Sequence, residues 1–323
     1  MQRLRTWQLL AVCVLVWGTT WYAITFQLDT APEVGVALRF GLAGAVVLAM
    51  CASRGLPLRF GPRAHALLAL QGAFLYGVSY VCVYHAEQHV VSGLVAVGYS
   101  ASPLVGGLGA WLLFRARLTL RFVAGGVLGL AGVVLIFWPE FGRAGAHGGV
   151  TGDVTAGALF TIASVLLSTV GSLTASRNRE NRLPFWPALG YGMLYGAAIS
   201  AAVGIAQGRS FAPPASIAWW AALLYLALAG SVITFACFLT LQQRIGVGPT
   251  GSIGVMTPLL ALAISMAFER FSPDALTFVG AALAVTGNVM MLRRRAAAAF
   301  PAEAAPPVPA APARAHGSRR GGR

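Results

Sequence analysis

The chain has 323 residues, of which 57% are hydrophobic and only 10% are charged, and it carries a formal net charge of +14. A soluble domain has about 25% charged residues, so this composition excludes a water-soluble globular protein and predicts one whose solvent is lipid. Lysine is absent, and nearly all the arginines lie in short loops or in the C-terminal tail rather than on one polar face with aromatic partners. That distribution excludes a nucleic-acid-binding protein.

Ten apolar runs follow one another along the chain, each about long enough to cross a membrane as a helix. They lie near residues 7–27, 32–52, 64–85, 91–114, 121–139, 152–175, 185–206, 217–241, 247–268 and 274–292. The first run resembles a signal peptide, but nine further runs follow it, so we interpret it as an uncleaved first helix. Glycine and proline are frequent within the runs, which is typical of closely packed membrane helices.

The loop arginines divide unequally between the two sides of the predicted membrane. One side collects Arg3, Arg5, Arg54, Arg59, Arg63, Arg115, Arg117, Arg121, Arg177, Arg179, Arg182, Arg244 and the tail. The other side has only Arg143, Arg209 and Arg270. Because arginine-rich loops stay in the cytoplasm, we predict that both termini are cytoplasmic. Residues 296–323 are rich in alanine, proline and arginine, which predicts a disordered cytoplasmic tail.

The two halves of the chain match each other at a constant offset along the sequence. The matched pairs are Pro32 and Pro187, Gly35 and Gly190, Gly41 and Gly196, Cys82 and Cys237, Gln88 and Gln243, Gly93 and Gly248, Pro103 and Pro258, Gly125 and Gly280, and Gly132 and Gly287. This register indicates a five-span repeat over residues 1–140 and 151–295. Because five is odd, the second copy enters the membrane from the opposite side. Such inverted repeats are typical of transporters in which one central site faces each side alternately.

Short motifs within this repeat resemble those of the EamA family in the drug/metabolite transporter superfamily. They are Trp17-Gly18-Thr19, Pro32 with Leu38-Arg39-Phe40, Pro103, and Phe268-Glu269-Arg270 followed by Gly280 and Gly287. The resemblance covers the chain up to about Arg295. It implies an all-α integral membrane protein with ten transmembrane helices, arranged as two inverted five-helix EamA-type repeats around a central cavity. One departure is that the glutamate ending the fourth span of each half occurs only as Glu269, since Phe114 occupies the matching position.

The same resemblance implies a secondary transporter of the bacterial inner (plasma) membrane. The activity we expect is export of a small amphipathic metabolite, such as an amino acid, by alternating access. Two alternatives remain open at this point. One is broad efflux of drugs and toxic compounds, and the other is a non-transporting membrane receptor or lipid-handling protein, because a fold alone does not fix a function.

Arg39 is the strongest candidate for a substrate-binding residue. It lies about two turns inside the second span, where an ionised side chain is costly and usually faces the interior of the bundle. A guanidinium in that position would bind a carboxylate or phosphate of the substrate. The alternative is a structural arginine that bonds to helix-end carbonyls or to Glu33. Its repeat counterpart is Leu194, so the internal symmetry requires no arginine here.

Aromatic and hydroxyl side chains supply the other candidates for a substrate-binding cavity. Those predicted to line it are Trp17, Tyr80, Tyr84, Tyr99, Ser102 and Tyr191. Tyr76, Tyr80 and Tyr84 recur every four residues and therefore share one face of a helix. An indole or phenol ring can present its face to an apolar or cationic ligand, although packing between helices also accounts for such rings.

A second set of residues is predicted to serve in gating or ion coupling. These residues are His85, Gln88, Pro103, Gln243, Pro258 and Glu269. Each proline leaves a backbone carbonyl one turn back without its helical hydrogen bond, at matching positions of the two halves. The resulting kinks are consistent with a role in gating and with a static bend. His85, Glu87 and His89 cluster at the end of the third span, where a titratable group could couple transport to protons or simply belong to a solvated loop. No carboxylate is expected deep within a span.

Nothing in the sequence predicts catalysis, a metal site or a cofactor. An intramembrane enzyme needs a nucleophile with its base, paired carboxylates or metal ligands at membrane depth, and none is apparent. The cysteines are Cys13, Cys51, Cys82 and Cys237, whose spacing predicts neither a zinc site nor a disulfide framework. The expected partners are therefore a small-molecule substrate, the lipid bilayer, and a proton or other coupling ion, in a monomer or homodimer.

Overall fold

The computed structural model describes residues 4–115, 117–146, 153–212, 214–245, 250 and 252–292. These residues form helices and connecting loops, and no β-strand occurs among them. The predicted tail at residues 296–323 lies outside the described part of the chain, as does Arg3. The all-helical architecture predicted from the sequence is confirmed.

The described residues form ten apolar helices, five in each half. Those of the first half are α1 (Thr6–Thr25), α2 (Pro32–Ser53), α3 (Pro62–Glu87), α4 (Ser92–Gly98, then a 3₁₀ turn Tyr99–Ala101, then Ser102–Phe114) and α5 (Leu120–Ala146). Those of the second half are α6 (Val154–Glu180), α7 (Phe185–Ala206), α8 (Ile217–Leu224, then a π-helical segment Tyr225–Ile233, then Thr234–Ile245), α9 (Ile253–Phe268) and α10 (Ala275–Leu292). By length and hydropathy, nine of these described helices could cross a membrane, and α9 is a shorter apolar helix of 16 residues.

The connections between successive helices alternate between two faces of the bundle. We call one the arginine-rich face; it includes the loop residues 54–61, 115, 117–119 and 181–184. The opposite face includes the loop residues 26–31, 88–91, 207–212, 214–216 and 269–274. Helix starts follow local chemistry, since proline occupies the first turn of α2 and α3 and Asp153 caps α6 by accepting from the backbone of Thr155 and Ala156.

The helices of each half pack mainly against helices of the other half. Three helices pack against their own repeat counterparts: α2 against α7, α4 against α9, and α5 against α10. The most extensive of the other contacts between the halves occur in exchanged pairs, because α1 packs on α8 and α9 just as α6 packs on α3 and α4. This arrangement is that of two interlocked five-helix units related by an approximate two-fold axis.

Glycines make the crossing of α5 and α10 possible. A Cβ atom on Gly132 would lie 2.4 Å from the carbonyl oxygen of Gly280, and one on Gly125 would lie 2.7 Å from that of Gly287. The repeat register pairs Gly125 with Gly280 and Gly132 with Gly287, so exchanging the halves converts each contact into the other. The backbones touch because no side chain separates them.

Two irregular features of the backbone also repeat in the same register. The π-helical segment Ala73–Gly77 of α3 corresponds to residues within the π-helical segment Tyr225–Ile233 of α8. Arg115, which follows α4, and Arg270, which follows α9, both have left-handed backbones, with φ angles of 52° and 57°. The internal repeat read from the sequence therefore extends to the details of the fold.

Candidate functional site

Arg39 is buried inside the bundle on α2, about 10 Å along the helix from the start at Pro32. Only 3% of its surface is exposed. The guanidinium carbon lies 4.8 Å from the ring centroid of Tyr80 on α3 and 5.0 Å from that of Phe40. Among the described residues, neither Nε nor Nη1 has a hydrogen-bond partner. A buried cation with unused donors is costly unless an anion reaches it, so this group is well suited to bind one.

Glu33, the acidic partner considered for Arg39 from the sequence, faces elsewhere. Its Oε1 atom lies 3.5 Å from Nε2 of His85. Six residues along an α-helix correspond to a rotation of about 240°, so Glu33 and Arg39 project from different sides of α2. The structure therefore gives the Arg39 guanidinium no carboxylate from its own helix.

The tyrosines of α3 line the side of the site next to α2. Tyr80 packs edge-on against Phe40, with ring centroids 4.7 Å apart, beneath the Arg39 guanidinium. Tyr84 is fully buried, interacts electrostatically with Arg39, and donates a hydrogen bond of 2.8 Å to Oε1 of Gln27. Tyr80 and Tyr84 thus lie together at the predicted site, and Gln27 is a polar neighbour that the sequence did not single out.

Tyr99 and Ser102 belong to α4, where Tyr99 begins the 3₁₀ turn and Ser102 directly follows it. The Tyr99 ring packs edge-on against Trp21 of α1 at 5.2 Å, and its hydroxyl interacts with Ser164 and Ser168 of α6. The Ser102 hydroxyl is buried and has no partner among the described residues. Tyr99 also interacts electrostatically with Tyr80, whose ring lies against the Arg39 guanidinium.

Trp17 is joined to the Arg39 site through the π-helical segment of α8. Its indole donates a hydrogen bond of 3.0 Å to the carbonyl of Gly230, and its ring packs against Phe235 and Phe238. A Cβ atom on Gly230 would lie 3.9 Å from Nη2 of Arg39. Trp17 therefore contacts the backbone that flanks the guanidinium rather than the guanidinium itself.

Tyr191 does not belong to the Arg39 site in this structure. It lies near the start of α7 at the arginine-rich face, where its hydroxyl donates to the carbonyl of Leu58 at 2.8 Å. Its ring packs against His65 at 5.0 Å, and His65 is hydrogen-bonded to Tyr195 at 3.0 Å. The separation follows from the fold, because α2 and α7 enter from opposite faces and Arg39 lies nearer the opposite face.

Three of the residues predicted for gating or coupling, His85, Gln88 and Glu269, lie in two groups at the opposite face. In the first group, Nδ1 of His85 lies 3.1 Å from Oε1 of Gln88, whose amide donates to the carbonyl of Leu28 at 3.4 Å. His85 also stacks on Phe160 of α6 at 5.0 Å. Together with Glu33, these contacts tie the end of α3 to α2, α6 and the loop after α1.

Glu269 forms the second group by capping α4. Its carboxylate accepts hydrogen bonds from the backbone N–H of Ser92 at 3.2 Å, from the Ser92 hydroxyl at 2.7 Å, and from the Ser265 hydroxyl. The Ser265 hydroxyl also accepts from the N–H of Gly93 at 2.8 Å. A carboxylate is stabilised at a helix N-terminus, so Glu269 is directed to α4 rather than to the neighbouring Arg270, which is exposed.

The prolines lie mid-helix, as expected. Pro258 is buried in α9 and lines a small cavity of about 10 Å³ between α4, α5, α9 and α10, together with Ser100 and Asn288. The Asn288 amide donates to the carbonyl of Ser100 at 3.2 Å, close to Pro103. The side chain of Gln243 lies outside the described residues.

The sequence predicts no carboxylate deep within a span, and Glu33 and Glu87 do lie at helix ends, but both are buried. Glu33 is 2% exposed and Glu87 is 6% exposed. Glu87 ends α3, but the surrounding helices cover it, and it interacts electrostatically with Glu269 and Arg39. In the described part of the chain, no group of three or more histidine, cysteine or acidic side chains could hold a metal ion.

Comparison with known proteins assigns the chain to a family. The model of the EamA-like transporter family matches it twice, over residues 5–138 and 155–293. The chain belongs to the EamA-like transporter family. It is therefore a membrane transporter, and the family resemblance predicted from the sequence is confirmed.

Relatives of this EamA-like transporter include proteins whose names give a location or a class of substrate. An uncharacterized inner membrane transporter of Escherichia coli (strain K12), YedA, is 28% identical over 261 residues, which cover 77% of this chain and 78% of that protein. A probable terminal-alkyne amino-acid exporter of Streptantibioticus cattleyicolor is 27% identical over 289 residues, 88% of this chain and 92% of that one. A solved crystal structure has the same fold, with a TM-score of 0.63 at 23% identity, covering 90% of this chain and 97% of that chain.

Proposed function

We propose that this EamA-like transporter exports a small amphipathic metabolite, such as an amino acid, and that Arg39 binds its carboxylate. The observation that carries this proposal is the buried guanidinium with two nitrogen atoms that have no partner among the described residues. Arginine binds carboxylates through parallel N–H donors, and an ionised group within a membrane span is typically functional.

The surroundings of Arg39 favour a substrate with an apolar part as well as an anionic one. Phe40 and Tyr80 pack against the guanidinium, and the Trp21–Tyr99 pair supplies further aromatic surface. The relative named as a probable amino-acid exporter supports the same class of substrate. An amino acid combines these features in one small molecule.

The exchanged packing of the two halves supports alternating access as the mechanism. Inverted repeats allow one unit to rock against the other around a fixed central site. In the orientation we propose, the arginine-rich face and both termini are cytoplasmic, since arginine-rich loops remain on that side. Arg39 then lies nearer the periplasmic end of its helix.

Replacing Arg39 with glutamine tests this function. We expect bacteria that overexpress the wild type to accumulate an amino acid or similar compound in the medium. We expect secretion by the Arg39→Gln variant to fall by about 30-fold or more, because a buried charged contact is lost. The measurement is metabolite profiling of the medium at equal membrane abundance. Arg59→Gln, an exposed loop change, is the matched control and should secrete normally. Equal secretion by wild type and Arg39→Gln would refute carboxylate binding by Arg39.

Broad drug efflux is the second candidate, favoured by the aromatic surface of Trp21, Tyr80 and Tyr99. Aromatic faces bind apolar and cationic compounds without a requirement for a carboxylate. Under this alternative, overexpression would raise resistance to several unrelated toxic cations, and Arg39→Gln would leave that resistance intact.

A further inference from the structure

Glu87 is a buried acid whose role the proposed carboxylate site leaves unexplained. It is 6% exposed, and among the described residues neither carboxylate oxygen has a hydrogen-bond donor. A buried carboxylate without a donor or a cation is strongly destabilised. Glu87 therefore requires a cationic group, or a proton in its place.

The charged neighbours of Glu87 strengthen that requirement. Glu269, on α9, interacts with it electrostatically as a like charge. Glu269 already accepts hydrogen bonds from the N–H and the hydroxyl of Ser92 at the N-terminus of α4, whereas Glu87 has no such donors among the described residues. Arg39 is a cation that interacts electrostatically with Glu87, but its guanidinium carbon lies over the rings of Tyr80 and Phe40, and no hydrogen bond joins it to Glu87 among the described residues.

Glu87 and Arg39 flank the same strip of α3. Tyr80 contacts the guanidinium, Tyr84 lies one turn further and also interacts with Arg39, and Glu87 follows about 4.5 Å further along the helix axis. A basic group and an acidic group, both buried and both with unpaired atoms, thus lie close enough to interact electrostatically. Together they suit a small molecule with a charge of each sign.

We propose that Glu87 binds the ammonium group of a zwitterionic substrate whose carboxylate is bound by Arg39. This inference rests on the proposed function and adds to it a second recognition point, which makes the site selective for amino acids over acids that lack the amine. An ammonium group would supply the donors that Glu87 lacks and offset the repulsion from Glu269. The carboxylate and the ammonium of one substrate would then supply the missing hydrogen-bond partners of Arg39 and Glu87 together.

Glu33 provides a matched control because it is as deeply buried but projects from a different side of α2 than Arg39. One of its oxygens lies 3.5 Å from Nε2 of His85, and the other, like those of Glu87, has no hydrogen-bond partner among the described residues. Removing its charge should affect the packing of the opposite face without changing which substrate is preferred. A variant pair at Glu87 and Glu33 therefore separates recognition of the amine from a general effect of losing a buried acid.

The test compares ligands that differ only in the amine. Dissociation constants are measured by calorimetry on the purified full chain for alanine, leucine and phenylalanine and for their deaminated acids, propanoate, 4-methylpentanoate and 3-phenylpropanoate. For wild type we expect the best-bound amino acid to bind more tightly than its deaminated acid. Glu87→Gln should reduce that preference by about 30-fold or more, with the acid itself binding as well as before. Glu87→Asp and Glu33→Gln should retain the preference.

The outcomes distinguish this inference from the function on which it rests. If Glu87→Gln weakens the amino acid and its acid equally, or weakens neither, the ammonium role of Glu87 is refuted while carboxylate binding by Arg39 stands. If Arg39→Gln leaves amino-acid binding unchanged, or no amino acid binds the wild type, the proposed function fails and this inference fails with it. Should Glu87→Gln fold poorly, the wild type decides the matter, because equal binding of an amino acid and its deaminated acid would refute recognition of the ammonium group.

Discussion

At the scale of single residues, Glu269 shows how one carboxylate can join the two repeats. The first N–H groups of a helix have no partner within it, and Glu269 of α9 supplies an acceptor for the start of α4, reinforced by Ser92 and Ser265. The contact links residues far apart in the sequence, at the face where α4 enters the bundle. Glu269 therefore contributes to stability as well as to the electrostatics of Glu87.

Removing the Glu269 carboxylate should destabilise the protein measurably. Glu269→Ala deprives the start of α4 of its capping acceptor, and loss of a helix cap lowers the free energy of unfolding by about 1–2 kcal/mol. The measurement is the thermal unfolding midpoint in detergent, which we expect to fall. Arg270→Gln, an exposed change beside it, serves as the control and should leave the midpoint unchanged. A Glu269→Ala protein as stable as wild type would contradict the capping role.

At the scale of helices, the crossing of α5 and α10 joins the two repeats through backbone contact. The carbonyls of Gly125, Gly132, Gly280 and Gly287 lie where side chains would otherwise stand. Helices in a membrane gain no hydrophobic stabilisation from packing against each other, so close van der Waals contact of this kind holds them together. The crossing joins the two halves through residues other than those around Arg39.

Adding a single methyl group at this crossing should disturb the fold. In Gly132→Ala the new Cβ would approach the Gly280 carbonyl oxygen to 2.4 Å, so the helices must separate, at a cost of about 1–3 kcal/mol. Gly106→Ala is the matched control, because no atom lies within 4 Å of its added Cβ and alanine favours a helix more than glycine does. Unfolding midpoints in detergent should fall for the first variant and hold or rise for the second. Equal midpoints would show that α5 and α10 do not depend on this contact.

The same scale shows which parts of the site the sequence could predict. Arg39 is visible in the sequence because an arginine inside an apolar run has few explanations. Glu87 is not, because the local sequence His-Ala-Glu-Gln-His resembles a loop, and its burial comes from helices distant in the chain. Residue type alone groups Tyr191 with Arg39. Its position between the two faces of the bundle depends instead on the direction in which α7 crosses.

At the scale of the whole molecule, the internal repeat of the sequence is closely reproduced in the fold. Pairs such as Pro103 and Pro258 share a register with the π-helical segments and with the left-handed Arg115 and Arg270. The main helix pairs are also related to one another by the two-fold relation between the halves. Substrate recognition departs from this symmetry, since Arg39 corresponds to Leu194 and Glu87 corresponds to Gln242. A symmetric scaffold thus carries an asymmetric set of charges, which allows one half to recognise the substrate while both halves move.

The orientation of the molecule in the membrane can be tested with two serine positions. Ser53 ends α2 at the arginine-rich face, and Ser210 follows α7 at the opposite face; both are exposed. With the four native cysteines replaced, we expect a membrane-impermeant maleimide to label Ser210→Cys in intact cells and Ser53→Cys only after lysis, because arginine-rich loops are retained in the cytoplasm. Labelling in the reverse pattern would place the arginine-rich face in the periplasm. Arg39 would then lie nearer the cytoplasmic end of α2, and export would begin, rather than end, at the Arg39 end of the bundle.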